Sequence, residues 1–126
     1  MIGRYRIVRG TRPAGDPLPE GIRQDTRKHT AHILRPTDEI VAPFLADPSS
    51  ERGFAHFRAA YLKLLEQRLR EDPEAFAKLV RLAKGNAVFL GCNCPTTKQP
   101  DVRRCHTALA LDFLARHFPE LQIEHP

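Results

Sequence analysis

All three cysteines of the chain, Cys92, Cys94 and Cys105, lie within the stretch GCNCPTTKQPDVRRCH, and His106 follows the last of them. Thiolate and imidazole ligate soft metal ions, and they also pair as nucleophile and base. A cysteine can equally be a small core hydrophobe. Which of these applies depends on where the surrounding elements put the side chains.

The apolar run AVFLGC, residues 87–92, is too short for a helix and is flanked by asparagine and glycine before it and asparagine after it. It reads as a strand buried on both faces, as in a parallel sheet. Residues 93–102 then form the loop at its carboxyl end, where ligands collect in open α/β sheets. Cys92 and Cys94 are two apart, so an extended backbone points both thiols the same way. With Asp101 capping the next helix, its free amides face the same mouth beside Arg103 and Arg104. Cys92, Asn93, Cys94, Arg103 and Arg104 are therefore the expected ligand-binding residues, for a phosphate or carboxylate.

A metal site is the second candidate. The spacing is not the C-x2-C pair of a zinc ribbon. Cys105 and His106, adjacent on a helix, project about 100° apart, so at most one of them is expected to reach a shared ion. Cys92, Cys94 and Cys105 would then form an open site for zinc or iron rather than a closed structural one. In the third candidate, Cys105 is a nucleophile and His106 its base. Against this, a cap at Asp101 leaves Cys105 a full turn into the helix, where the dipole fades.

The positioning elements are legible around this stretch. Asp72-Pro73-Glu74 begins a helix, Phe76, Leu79, Val80 and Ala83 share one face, and Lys84-Gly85 ends it. Phe54, Phe57, Tyr61, Leu64, Leu65 and Leu69 predict the longest helix over residues 50–71, started by Ser49 or Ser50. After the cysteines, Cys105, Leu109, Phe113 and Leu114 form a stripe that Pro119 closes. Towards the amino end, RYRIVRG alternates as a first strand, and HTAHILR, residues 29–35, as a second. The segment TRPAGDPLPEG between them is a loop, and Pro43 limits a helix around DEIVAPF to one or two turns. Helix, buried strand and helix is the rhythm of an α/β fold. A chain of 126 residues with no dividing linker fits one domain over residues 1–126, with a small, mostly parallel sheet flanked by helices.

Composition narrows the function classes. The chain is 41% hydrophobic and 28% charged, as in ordinary globular proteins. No apolar run approaches the roughly 20 residues of a membrane span, and MIGRYRIVRG is too charged for a signal-peptide core. An odd number of crowded cysteines argues for reduced thiols, so a cytoplasmic location with no membrane partner is expected. The net charge of +5 favours an anionic partner. Arg9 and Arg12, if they stand at the carboxyl end of the first strand, belong to the same anion site. The arginine-rich amino-terminal segment could also follow a nucleic-acid backbone, but with only Tyr5 interleaved it lacks stacking aromatics and reads better as a solvated face. GxGxxG, GxxxxGK[ST] and GxSxG are all missing.

The run from Asp47 to Cys92 resembles the carboxyl half of the YeaO-like bacterial proteins, with an aspartate-proline pair, a long F/Y-containing helix, a proline-glutamate helix start and a glycine-led strand in that order. The LGCNC segment, followed by CH and an apolar helix, is similar to a related group of small bacterial and phage domains with a GCxC…CH signature. Both groups are domains of unknown function. The resemblance implies a small α/β fold with Cys92, Cys94, Cys105 and His106 at a strand-end site, and no particular activity. Together these features lead to an expected protein that binds, and could process, a small anionic ligand such as a nucleotide or phosphorylated metabolite. The alternatives are a zinc or iron protein and a nucleic-acid-binding module.

Overall fold

A computed structural model describes residues 1–126. Three parallel strands, β1 (Ile2–Arg6), β2 (Ile22–Asp25) and β3 (Val88–Cys92), lie in the order β1-β3-β2. Four helices, α1 (Asp38–Ala46), α2 (Glu51–Glu71), α3 (Pro73–Gly85) and α4 (His106–His117), complete an α/β fold. No helix is long and apolar enough to cross a membrane.

The apolar run of β3 makes it the central strand, with Val88 and Leu90 fully buried. These two residues face the main core, which also takes in Phe57, Tyr61, Leu65, Phe76, Leu109 and Leu114 from the helices. Helix α4 packs on β1 and β3, and α2 packs on α4. Packed between sheet and helix, α4 is buried all round from His106 to Leu111, with His106 and Thr107 as its buried polar residues. On the opposite face, Phe89 and Gly91 meet Tyr5, Ile7 and the proline-rich connection that holds Pro17 and Pro19.

Local chemistry accounts for the helix starts. Ser50 Oγ accepts the Gly53 amide at 3.0 Å and caps α2, while Asp72 accepts the Ala75 amide at 3.2 Å and caps α3, with Pro73 in its first position. Aromatic side chains of α2 then carry order toward the sheet. Phe57 stacks on Phe44 of α1 at 4.7 Å and on Tyr61 at 6.1 Å, and the Tyr61 ring meets His106 edge-on at 5.9 Å.

Three expectations need correction. The second strand is not residues 29–35. There the backbone is turned, with the Arg35 amide on the His32 carbonyl, and Tyr61 and Arg68 of α2 bond the carbonyls of Leu34, Ile33 and Arg35. Those carbonyls have side-chain partners and are not available to a ladder. The second strand is instead the polar Ile22–Asp25, led in by Gly21 at φ +140°, where a Cβ would lie 2.6 Å from the Ala87 carbonyl oxygen. The first strand ends at Arg6, in register with Cys92, so residues 7–10 belong to the connection and not to the sheet. Finally, Asp101 caps only a single 3-10 turn, Val102–Arg104, and α4 starts afresh with Cys105 at its N-cap.

Candidate functional site

Parallel strands end together, so the carboxyl end of β3 forms one mouth with the ends of β1 and β2 and the start of α4. Cys92 is the last residue of β3, Cys94 lies two residues on, and Cys105 is the extended residue from which α4 begins. Their three Sγ atoms all lie within 4.8 Å of one another. Cys92 and Cys94 are partly exposed, Cys105 is buried, and none is in a disulfide. The correction to the start of α4 bears directly on the chemistry. At the N-cap, Cys105 meets the positive end of the helix dipole instead of lying a turn beyond it.

Residues far apart in sequence hold this cluster. Thr107, fully buried, donates its hydroxyl proton to Cys105 Sγ at 3.1 Å and accepts from Arg4 Nε at 2.8 Å. The same guanidinium donates to the Cys94 carbonyl at 2.6 Å, so one side chain of β1 ties the cysteine loop to α4. His106 Nε2 lies 3.0 Å from the Thr26 carbonyl and 2.9 Å from the Thr26 hydroxyl, which itself donates to the Gly91 carbonyl at 3.0 Å. A carbonyl only accepts, so Nε2 carries the proton and Nδ1 is turned to the sulfurs, 3.8 Å from Cys105 Sγ. Fixing one imidazole nitrogen on a carbonyl while the other faces a thiolate centre is the arrangement that orients histidines beside metal ions. His106 Nδ1 nevertheless stays outside the set of three mutually close sulfurs.

The cluster shares charge unevenly. Hydrogen bonds from the Cys92 and Cys94 thiols, aided by His106, hold Cys105 well below the usual thiol range despite its burial. Cys94 is pushed up, chiefly by its hydrogen bonds to Cys105 and Cys92. Burial opposes a charge on His106, but its hydrogen bonds to Cys105 and Cys92 outweigh that and raise its pKa to about 10. The pair thus favours negative charge at Cys105 and positive charge at His106.

Above the sulfurs opens a cavity of about 340 Å³. Arg27, Lys28, Lys98 and Arg104 belong to its lining, and no acidic side chain does. Just outside, Arg27 pairs with Asp25 at 2.8 Å and reaches Asn93 Oδ1 at 3.0 Å, Lys28 pairs with Asp38, and Arg104 pairs with Glu51 while lying 5.1 Å over the Phe54 ring. Pro36, Val41, Phe44, Leu45 and Phe57 add apolar surface, and His29, Thr96 and Gln99 complete the lining with the cysteine segment.

Of the expected site residues, Cys92, Asn93, Cys94, Arg104, Cys105 and His106 all line this cavity. Three do not. Arg103 turns outward and pairs with Asp101 at 3.1 Å. Because β1 stops at Arg6, Arg9 is exposed on the connection, and Arg12 folds back onto the Arg6 carbonyl at 2.5 Å and Asp16 at 3.2 Å, beside a different groove. The amino-terminal arginines do not form one stripe: Arg4 points inward to Thr107, and Arg23 bonds the Pro19 carbonyl. Arg27, Lys28 and Lys98 stand at the cavity in place of Arg103, Arg9 and Arg12. Placing a strand at residues 29–35 hid the first two. Recognised as a neighbour of β3, β2 would have brought Thr26 and Arg27 to the same mouth.

No protein-family model, curated protein or solved structure matches this chain.

Proposed function

We propose that this chain is a metal-thiolate protein that binds a small anionic ligand in the strand-end cavity. Cys92, Cys94 and Cys105 hold one soft ion, zinc first and iron second. The observation that carries this reading is the convergence of the three sulfurs within 4.8 Å on the floor of an open cavity. Zinc bound to sulfur at about 2.3 Å in tetrahedral geometry takes four ligands. Three ligands from the chain would leave one position for a further ligand, and an anion in the cavity would lie near both the ion and the lining cations. Such an ion would act as a Lewis acid. The chain's own part is to fix the thiolates through Thr107 and Arg4, to orient His106 beside them, and to present a cationic wall.

The test is elemental analysis of protein purified without chelator, for the parent and for Cys94→Ser. The proposal expects near-stoichiometric zinc or iron in the parent, lost in the variant together with thermal stability. Metal-free parent protein, with a melting temperature that Cys94→Ser leaves unchanged, would overturn it. A second reading rests on the hydrogen bond from Thr107 and the approach of His106 Nδ1 to Cys105. It makes Cys105 a metal-free nucleophile with His106 as its partner. That reading requires metal-free protein in which Cys105 is alkylated at neutral pH far faster than an ordinary buried thiol.

A further inference from the structure

The cavity is larger and less uniformly polar than a lone inorganic anion needs. Its volume of about 340 Å³ falls within the roughly 300–1,000 Å³ of sites for small organic ligands. The lining divides chemically. Arg27, bonded to Asn93 of the cysteine loop, and Lys98 of the same loop supply positive charge on the sulfur side, and Lys98 has no carboxylate partner, whereas Lys28 and Arg104 are paired with Asp38 and Glu51. The apolar part comes from α1, its approach at Pro36, and Phe57 of α2. Phe44 and Phe57 are stacked nearly parallel at 9°, which fixes that wall through the core. Leu45, also of the lining, is 50% exposed, one of the two large hydrophobic side chains that stand out in solvent. A wall of this kind gives an inorganic anion nothing to bind, but it would bury the face of a flat or apolar ligand body.

We infer that the ligand is an organic phosphate with a flat heterocyclic body, of the nucleoside monophosphate class, its phosphate at the cation and sulfur side and its base against the α1 wall. This rests on the proposed anion site for where the phosphate goes, and adds the second half of the cavity and the residues that select the body. Arg27, held by Asp25 and Asn93, and Lys98 face the phosphate. Val41 and Leu45 face the base.

The experiment is calorimetric titration of the full chain as purified, with its metal content measured on the same sample. The titrants are inorganic phosphate, ribose 5-phosphate, adenosine, and the monophosphates of adenosine, guanosine, cytidine and uridine. At least one nucleoside monophosphate should bind about tenfold or more tighter than ribose 5-phosphate and inorganic phosphate, with adenosine alone much weaker. Leu45→Gln, neutral and at a half-exposed position where folding should survive, should weaken the nucleoside monophosphate about tenfold and leave phosphate unchanged. Lys98→Glu should weaken every phosphorylated titrant. Equal affinities for phosphate and the nucleoside monophosphates, no binding by any titrant, or indifference to Leu45→Gln would overturn the inference. Nucleotide binding by metal-free protein would support it while overturning the metal reading. Metal-loaded protein that binds no titrant would overturn it and leave the metal reading standing.

Discussion

Thr107→Val offers a sharp test of how the site is held. Valine matches threonine in shape, so the fully buried position gains no cavity, and only the hydroxyl is lost. That hydroxyl donates to Cys105 Sγ at 3.1 Å and accepts from Arg4 Nε at 2.8 Å. A hydrogen bond to a charged group contributes about 1.5–3 kcal/mol, and the thiolate that receives this one is the form a metal ion needs. Arg4 is only partly buried and keeps its bond to the Cys94 carbonyl, so its freed Nε–H should find water at little cost. Nearly the whole loss should therefore fall on the thiolate, which corresponds to zinc affinity weaker by about 10- to 100-fold. Competition with a chromophoric zinc chelator measures this for parent and variant under the same conditions. The pH for half-loading should also rise in the variant, because protons then compete better for Cys105. A change of less than about threefold in zinc affinity, with the variant folded, would refute the argument that Thr107 holds Cys105 as thiolate.

Two further changes probe the frame. Tyr61→Phe leaves the Leu34 carbonyl buried without its 2.5 Å partner while keeping the stack on Phe57, so denaturant unfolding should show a loss of about 1–3 kcal/mol with metal content unchanged. His32 is held neutral, its Nδ1 accepting the Leu34 amide and its Nε2–H donating to Gln24 Oε1, and burial lowers its pKa to about 4. The unfolded chain binds the extra proton first, so this contribution is full above about pH 6.5 and is lost as pH falls toward 4, on the order of 2 kcal/mol. Urea midpoints between pH 7.5 and 4.5 should fall less steeply for His32→Gln than for the parent, and parallel slopes would remove the assignment.

What could be read in advance follows the range of the forces. Helices α2 and α3 announce themselves through Ser50, Asp72-Pro73, Gly85 and apolar spacings of three and four, all local signals. Strand β3 is legible because a central parallel strand must be apolar on both faces. Strand β2 is not, because an edge strand of four residues with only Ile22 apolar leaves no alternation, and its place is set by bonds to Ala87 and Gly91 more than 60 residues away. The convergence of Cys92 and Cys94 was visible from their spacing, but the N-cap position of Cys105 was not. Asp101 is a good capping residue that closes a 3-10 turn first. Arg4, Thr26 and Thr107 carry no signal as individual residues, and they meet the cysteines only once the sheet and α4 are in place.

The most direct measurement of the central claim is X-ray absorption at the metal edge of the protein as purified. The account predicts about three sulfur scatterers near 2.3 Å and one lighter atom, with one sulfur lost in Cys94→Ser if metal is retained at all. A shell of oxygen and nitrogen alone, or no metal to measure, would contradict it.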